Sequence, residues 1–466
     1  MSIALGDFRS VYFIGIKGVA MAGLAVICKQ RGLDVRGSDV AEKFITDQTL
    51  ADHGIVVLEE FAAENLAYRP ELIVVGASWD AQHPEVRAAR SSGAVVISDS
   101  ELRGMLSREK RTVAVTGVHG KTTTTALLAY LFFRSGLRPS FLVGTGTVPD
   151  LNGNAAWHDG KHFIVEGDEY VRAHHDPVPK FLDLESTITV ITNVEWEHVD
   201  IYKDEQAIIE AFSKLAGQTK EVVVACADWP GVQQAVQSAN CAVVTYGREA
   251  HNQWRADNIH AEYDRTVFDV LQDGEKIGQL ATQLHGEHNV LNALACAIVA
   301  LHEGISFGQL QQFLPEFRGA QRRFDVSERQ GVIFVDDYAH HPTEIRATLK
   351  AIRHRFPDKT LWCVFQPHMA SRTRALLEQF ATAFSDADHV VVADIFASAR
   401  EQSEAINSEI LAGQIQQHHP SVAWPGDLNE VLNFLQDKIQ PGAVLITMGA
   451  GDVYRVRDKF LERLSG

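Results

Sequence analysis

Cysteine is scarce and odd in number. Cys28, Cys226, Cys241, Cys296 and Cys363 are scattered over 466 residues, and no two form a CxxC. That pattern argues against a disulfide framework or a zinc site and predicts reduced cysteines packed in a core. Long apolar runs are absent too: no stretch approaches the ~18 consecutive apolar residues of a membrane helix. The opening MSIALGDFRSVYFIGI has no basic segment leading into an apolar one and a small-residue cleavage site. The expected location is therefore the cytoplasm, without membrane insertion. Nor is there an excess of positive charge, since 43 Lys and Arg face 60 Asp and Glu for a net of −17. A surface this acidic does not seek nucleic acid or an anionic membrane. A local basic pocket for a phosphorylated small molecule remains compatible with it. Repeats and low-complexity segments are also missing. The 45 % apolar and 22 % charged residues that are present suit a globular chain of roughly two to four domains.

Short β-branched runs alternate with helical patterns from the start. Strands are expected at 11–14, 33–36, 72–75 and 94–97, with a buried helix at 21–30. A charged stretch at 103–111 interrupts the series and marks a boundary near residue 106. Further strands are expected at 112–115, 163–165, 188–191 and 222–224, then a small antiparallel sheet within 250–282 and a helix at 288–302. FRGAQRRF reads as an exposed linker with three arginines, followed by strands at 332–335, 361–365, 390–393 and 444–448. Strand–helix alternation implies parallel sheets covered by helices. The predicted fold class is α/β, as three α/β domains in tandem.

The strongest chemical signal is Gly117-Val118-His119-Gly120-Lys121-Thr122, between a β-branched strand and an Ala/Leu-rich helix. Glycines let backbone N–H groups converge on phosphate oxygens, and the helix N-terminus adds positive potential. Lys121 is placed for β- and γ-phosphates and the Thr122 hydroxyl for Mg²⁺. The spacing departs from GxxxxGK[ST], because Gly117 lies three residues before Gly120. Glu166-Gly167-Asp168-Glu169 follows a strand and is placed to hold Mg²⁺, or else is a solvated acidic turn. In Asn193-Val194-Glu195-Trp196-Glu197-His198, the imidazole of His198 suits a second metal, although packed histidines are commoner. The first turn, Gly15-Ile16-Lys17-Gly18-Val19-Ala20-Met21, is Rossmann-like, with Asp39 at the end of the second strand, but Lys17 breaks GxGxxG. Asp336-Asp337-Tyr338-Ala339-His340-His341 and Gln366-Pro367-His368-Met369-Ala370-Ser371-Arg372 also follow strands and are candidate ligand loops.

In this order, GVHGKTTTT, EGDEY, NVEWEHVDIY, GEHNVLNALA, FRGAQRRF, DDYAHHPTEI and QPHMASRTRAL resemble the Mur ligases. These are ATP-dependent amino-acid-adding enzymes of peptidoglycan precursor synthesis, and the resemblance spans nearly the whole chain. It implies a Rossmann-like UDP-sugar domain at 1–105, a central P-loop ATPase domain with a mostly parallel sheet at 106–320, and a Rossmann-like amino-acid domain at 321–466. ATP and Mg²⁺ are the implied cofactors, and the reaction passes through an acyl phosphate. Lys121, Glu166, His198 and Arg372 are the implied catalytic residues, with Thr122, Glu166 and His198 on metal. ATP would be held by Gly117, His119, Gly120, Lys121, Thr122 and Thr123, with Asn289 and Asn292 near adenine, Arg323 on phosphate and Asp337 on ribose. The UDP-sugar would meet Gly15, Lys17, Gly18, Met21, Ser38 and Asp39, and the amino acid Tyr338, His340 and Arg372.

Within the family, DDYAHHPTEI and QPHMASRTRALLEQFATAFSDAD look most like the ligases that join L-alanine to UDP-N-acetylmuramate. EGDEY and PKFLDL look more like the recycling ligases that add an intact tripeptide to the same acceptor. L-alanine is the expected amine, because the C-terminal domain presents it in this family. Two departures stand out. Met369 occupies a place where the alanine ligases commonly carry arginine, and Lys17 one where they commonly carry glycine; Lys17 is expected to add charge to a diphosphate site. A P-loop switch without ligase chemistry and a nicotinamide oxidoreductase are the readings from other classes. The second leaves the P-loop unexplained.

Overall fold

The computed structural model describes residues 3–173, 176–196, 201–262, 265–396 and 406–463. Strands β1 (Ser10–Ile14), β2 (Asp34–Ser38), β3 (Val56–Leu58), β4 (Leu72–Val75) and β5 (Val95–Ser98) form a parallel sheet in the order β3-β2-β1-β4-β5. Side chains alternate across it. Val11 and Phe13 enter one core, while Tyr12 and Ile14 enter a smaller one with Ile73 and Val86 on the other face. The strand order reverses between β1 and β4, the position where open α/β sheets leave a crevice at their C-terminal ends.

The second sheet has ten strands among the described residues. They are β6 (Arg111–Thr116), β7 (Ser140–Leu142), β8 (Ala155–Ala156), β9 (His162–Glu166), β12 (Ile188–Ile191), β13 (Val222–Cys226), β14 (Ala242–Gly247), β15 (Trp254–Glu262), β16 (Arg265–Gln272) and β17 (Glu275–Thr282). A separate hairpin pairs β10 (Val171–Ala173) with β11 (Asp176–Pro179). The order is β17-β16-β15-β14-β13-β12-β6-β9-β7-β8, parallel from β15 across to β7. The antiparallel strands expected within 250–282 exist, but β15 pairs with β14, so they extend the main sheet instead of standing alone.

The helix Val19–Gln30 explains why its sequence is apolar on all sides. It is buried in a core that joins Val11 and Phe13 to Leu142, Phe163 and Val165 of the second sheet. Gly23 permits this approach: a Cβ there would fall 2.5 Å from Leu142 Cδ1.

The third sheet comprises β18 (Asp325–Arg329), β19 (Val332–Asp337), β20 (Leu361–Phe365), β21 (His389–Ala393), β22 (Val422–Gly426) and β23 (Val444–Met448). Its order is β18-β19-β23-β20-β21-β22, with only β18 antiparallel. The described chain divides into two compact units. One holds the first two sheets and runs to Gln321; the other holds residues 284–290 and everything described from Arg322 onward.

Two segments differ from expectation. The charged stretch at 103–111, read as an interruption of the strand–helix series, begins inside a helix: Asp99–Ser107, capped by Ser98 and Glu101, buries Arg103. In FRGAQRRF, Arg322 is buried as well. It donates to Asp336 Oδ2 (3.2 Å) and to the carbonyls of Gly451 (3.0 Å) and Gly449 (2.7 Å). All five cysteines are free and four are buried. No helix among the described residues is long and apolar enough to cross a membrane.

Candidate active site

The loop between β6 and helix Lys121–Arg134 is shaped by its glycines. Gly117 has φ +131°, and a Cβ there would lie 2.0 Å from Thr192 Oγ1. Gly120, at φ +80°, has no room for a side chain, since its Cβ would lie 2.6 Å from Asn292 Oδ1. The end of β12 clamps the loop. Asn193 Oδ1 accepts from the amides of Val118 (2.9 Å) and His119 (2.8 Å), and Asn193 Nδ2 donates to His119 O (2.9 Å). Thr192 Oγ1 donates to the same carbonyl at 2.6 Å.

Lys121 folds back over this turn. Its ammonium donates to Gly117 O (2.7 Å) and Val118 O (2.9 Å) and pairs with Glu169 at 2.9 Å. Thr122 Oγ1 donates to Glu166 Oε1 at 3.1 Å, and Glu166 Oε2 accepts from Gly144 N at 2.8 Å. His119 Nε2 lies 2.9 Å from Glu195 Oε2. Thr123 is buried in the first helical turn.

Thus Gly117, His119, Gly120, Lys121, Thr122, Glu166 and Asn292 converge around one loop. A hydroxyl and a carboxylate at a helix N-terminus form the hard-oxygen set that suits Mg²⁺ beside phosphate. Gly144 keeps space by that carboxylate, because a Cβ would lie 2.6 Å from Glu166 Oε2. His198 lies outside the described residues. The residues that sequence reasoning did not single out are Glu169 and Asn193. Both stood inside quoted motifs, but only the fold reveals that one holds the lysine and the other the loop.

The acidic turn after β9 is fixed from below by a buried charge network. Arg103 donates to Asp168 Oδ2 (2.7 Å), Asp99 Oδ2 (2.5 Å) and Glu166 O (3.4 Å), and Lys180 meets both oxygens of Asp99 at 2.9 Å. Burial pushes the Asp99 carboxyl up, but Lys180 and Arg103 outweigh it and hold the group at about 2. Asp168 is likewise held below the usual carboxylate range, against burial, by Arg103 and Lys180.

At the first sheet, the amides of Gly15 and Ile16 donate to Ser38 O (2.9 and 3.1 Å) and that of Lys17 to Asp39 Oδ2 (2.7 Å). The amides of Gly15, Ile16 and Lys17 are therefore engaged by the last residue of β2 and the one after it, and that of Gly18 by Gly15 O. The Lys17 ammonium, expected to face a diphosphate, is buried and held elsewhere. It donates to Val40 O (2.9 Å), Glu42 O (3.0 Å) and Glu59 Oε1 (3.1 Å), and pairs with Asp47 (3.3 Å). Its charge anchors the segment after β2. The Ser38 hydroxyl donates to Glu85, which is fully buried.

In the second unit, Asn289 Nδ2 donates to His285 O (2.7 Å), and the Arg323 guanidinium lies 4.9 Å from the Tyr338 ring centre. His340 Nδ1 lies 3.0 Å from Tyr338 O and 3.3 Å from Glu344 Oε2. Arg372 is buried in the short helix Ala370–Ala375, which Met369 precedes with a left-handed φ of +70°. Asp337, at the end of β19, accepts from the amides of Phe324 and Ala339, both at 2.8 Å. Burial nonetheless pushes its carboxyl up to about 6, against the Arg323 charge and those two amides. The folded state thus holds this proton more tightly than the unfolded chain, so the group's stabilising contribution is full below ~4 and is lost as pH rises through 6. Wild type is expected to lose about 1–2 kcal/mol between pH 5 and pH 7.5 relative to Asp337→Asn. Urea unfolding of both proteins at the two pH values checks this, and parallel pH profiles would refute it.

A Rossmann-like sheet, a sheet carrying a phosphate-type glycine loop and a second Rossmann-like sheet follow one another in the chain, and the families they match make it an ATP-dependent ligase that joins an acid to an amine. The chain belongs to the Mur ligase family. Residues 10–111 match the Mur ligase family catalytic domain, 115–300 the Mur ligase middle domain, and 322–451 the Mur ligase glutamate ligase domain. It is 37 % identical over 460 residues to a UDP-N-acetylmuramate–L-alanine ligase of Alkaliphilus metalliredigens, covering 98 % of this chain and 97 % of that protein. A UDP-N-acetylmuramate–L-alanine ligase of Gloeobacter violaceus is 38 % identical over 97 % of this chain and 95 % of its own length. The crystal structure of the UDP-N-acetylmuramate–alanine ligase of Thermotoga maritima matches with a TM-score of 0.83 at 26 % identity, covering 98 % of this chain and 99 % of that one.

Proposed function

We propose that this protein joins L-alanine to the lactyl carboxylate of UDP-N-acetylmuramate, converting ATP to ADP and phosphate, in the cytoplasm. The observation that carries the reading is identity of 36–38 % to L-alanine ligases along nearly the full length of the chain. A free carboxylate is a poor acylating agent, so the lactyl oxygen first attacks the γ-phosphorus and ADP departs. The alanine amine then attacks the acyl carbon, and phosphate leaves with its bonding pair. Phosphoryl transfer of this kind depends on positioning and charge neutralisation.

In our assignment Lys121 swings from the loop carbonyls to the phosphates, and the amides at the start of helix Lys121–Arg134, with Thr123, orient them. Thr122 and Glu166 would hold one Mg²⁺ and His198 a second, which when bound would supply neutralising charge to the phosphate oxygens. His119, Gly117 and Gly120 shape the phosphate seat. Asn289 and Asn292 take adenine, Asp337 the ribose and Arg323 the phosphates. Tyr338, His340 and Arg372 receive the amino acid. Gly15, Gly18, Met21, Ser38 and Asp39 surround the UDP-sugar, with Lys17 acting through the segment it anchors.

Product mass spectrometry with UDP-N-acetylmuramate, ATP and Mg²⁺, offering L-alanine and the tripeptide side by side, tests the proposal. The alanyl product is expected; a tripeptide product alone overturns it. Met369, three residues before Arg372, gives a sharper handle. Arginine there would add a planar donor for a carboxylate, so Met369→Arg is expected to lower the alanine KM roughly 10-fold, about 1–2 kcal/mol of charged hydrogen bonding. Unchanged steady-state KM would place Met369 outside the pocket.

A further inference from the structure

The turn after β9 carries three carboxylates in four residues, and they are sorted. Glu166 and Glu169 face the phosphate loop, the first 3.1 Å from Thr122 Oγ1 and the second 2.9 Å from the Lys121 ammonium. Asp168 faces the other way, 2.7 Å from Arg103. Gly167 lets the turn lie against the end of β6: its amide donates to Val115 O (2.9 Å), and a Cβ would fall 2.7 Å from Thr116 Cγ2. Carboxylates this close repel one another and compete for the same cations. Lys121 is such a cation, and its charge reaches Asp168 as well as Glu169. The turn alone therefore does not decide which carboxylate takes the lysine.

What decides it is helix Asp99–Ser107, which bears on the turn and on the segment after it. Arg103 donates to the Asp168 carboxylate and to Glu166 O (3.4 Å), gripping the chain on both sides of Gly167. Asp99 takes another nitrogen of the same guanidinium at 2.5 Å and is held in turn by Lys180 at 2.9 Å. The helix itself has little room to shift. A Cβ at Gly104 would fall 2.6 Å from Asp183 O, and Ser107 Oγ accepts from Glu185 N at 3.0 Å. Phe181 N donates to Asp168 O (3.0 Å) and Tyr202 Oη to Glu169 O (2.7 Å). The carbonyls of Glu166, Asp168 and Glu169 thus all have partners outside the phosphate loop, and the shape of the turn is set by the fold.

We infer that Arg103 is a positioning residue for phosphoryl transfer: it keeps Asp168 off Lys121 and off the Mg²⁺ ligands, so that only Glu166 and Glu169 face the phosphates. The inference rests on the proposed function and goes beyond the structural role of a buried ion pair. A lysine in its place would supply the charge but not the fork of donors that holds a carboxylate, a carbonyl and Asp99 at once. Asp168, released, would be drawn to Lys121 or to the ion beside Glu166.

Calorimetry with ADP and Mg²⁺ on the full chain reads this without turnover, and circular dichroism checks that each variant is folded. Arg103→Lys is expected to bind Mg²⁺–ADP roughly 10- to 100-fold more weakly than wild type, the usual cost of losing a group that orients a metal ligand. Adding Asp168→Asn, which removes the competing charge, should return the affinity to within about 3-fold of wild type. The kcat of Arg103→Lys should fall by a similar factor while KM for alanine stays. A folded Arg103→Lys with wild-type Mg²⁺–ADP affinity overturns the inference. So does a weakened one that Asp168→Asn fails to restore, since that is what general loosening of the turn would give. If Arg103→Lys does not fold, Arg103→Met combined with Asp168→Asn replaces it. A folded double variant binding Mg²⁺–ADP roughly 10-fold more weakly than wild type then overturns the inference, and one within about 3-fold supports it. A wild type that binds Mg²⁺–ADP but forms no alanyl product overturns the proposed function alone, whereas one that does not bind Mg²⁺–ADP overturns both.

Discussion

Lys121→Ala is expected to form product roughly 10²–10³-fold more slowly than the wild type, as removal of a single preorganised charge-stabilising group typically does. The lysine side chain already sits at the phosphate turn, 2.7 Å from Gly117 O and 2.9 Å from Glu169. On the proposed assignment the ammonium exchanges these partners for the oxygens of the γ-phosphate. The effect should fall on kcat, because the charge that matters develops during phosphoryl transfer. The substitution also deprives buried Glu169 of its lysine, so folding is checked by circular dichroism on the same preparation. A folded variant turning over at the wild-type rate would show that the loop does not hold the reacting phosphate.

Arg103→Ala should be the most damaging change away from the loop itself. Arg103 is 3 % exposed and bridges buried Asp99 and half-buried Asp168. Removing one partner of a buried ionic network typically costs about 3–5 kcal/mol, because the remaining charges keep their desolvation penalty. The pH dependence has a definite sign. Asp99 is depressed to about 2 in the folded chain, so its stabilising contribution is present above ~4 and lost as pH falls through 2. Without Arg103 that loss should begin at higher pH, and the variant should unfold in weaker acid than wild type. Urea unfolding at pH 7 and pH 4 measures both effects. A variant within 1 kcal/mol of wild type at both values would mean that Lys180 alone satisfies the two carboxylates.

Much of this architecture was legible in the sequence because the buried strands are continuous β-branched runs. Leu72–Val75 and Ile188–Ile191 read as strands without any tertiary information. The glycine loop was legible for the same kind of reason, since only glycine tolerates the backbone of Gly120 and the crowding at Gly117. What could not be read is where charge goes. Arg103, Lys17 and Arg322 each lie in polar-looking stretches, yet each is buried with partners supplied from distant segments, such as Asp168 for Arg103 and Glu59 for Lys17. No local pattern encodes such pairings. The short strands were missed too: Ala155–Ala156 and Val56–Leu58 are too brief to show a period and exist because a neighbouring strand offers them hydrogen bonds.

The helix Val19–Gln30 fixes how the molecule can be taken apart. One of its faces belongs to the first sheet, and Gly23 presses another against Leu142 of the second. A fragment ending at Ser107 would retain every residue of the first sheet yet present to water an apolar surface made to meet Leu142, Phe163 and Val165. Such a piece would aggregate and not report faithfully on its ligand. The proposed sugar-nucleotide site, though drawn from the first hundred or so residues, is in this sense a property of the longer chain. Excising the N-terminal region to crystallise or screen it would remove one wall of the core that holds the site in shape.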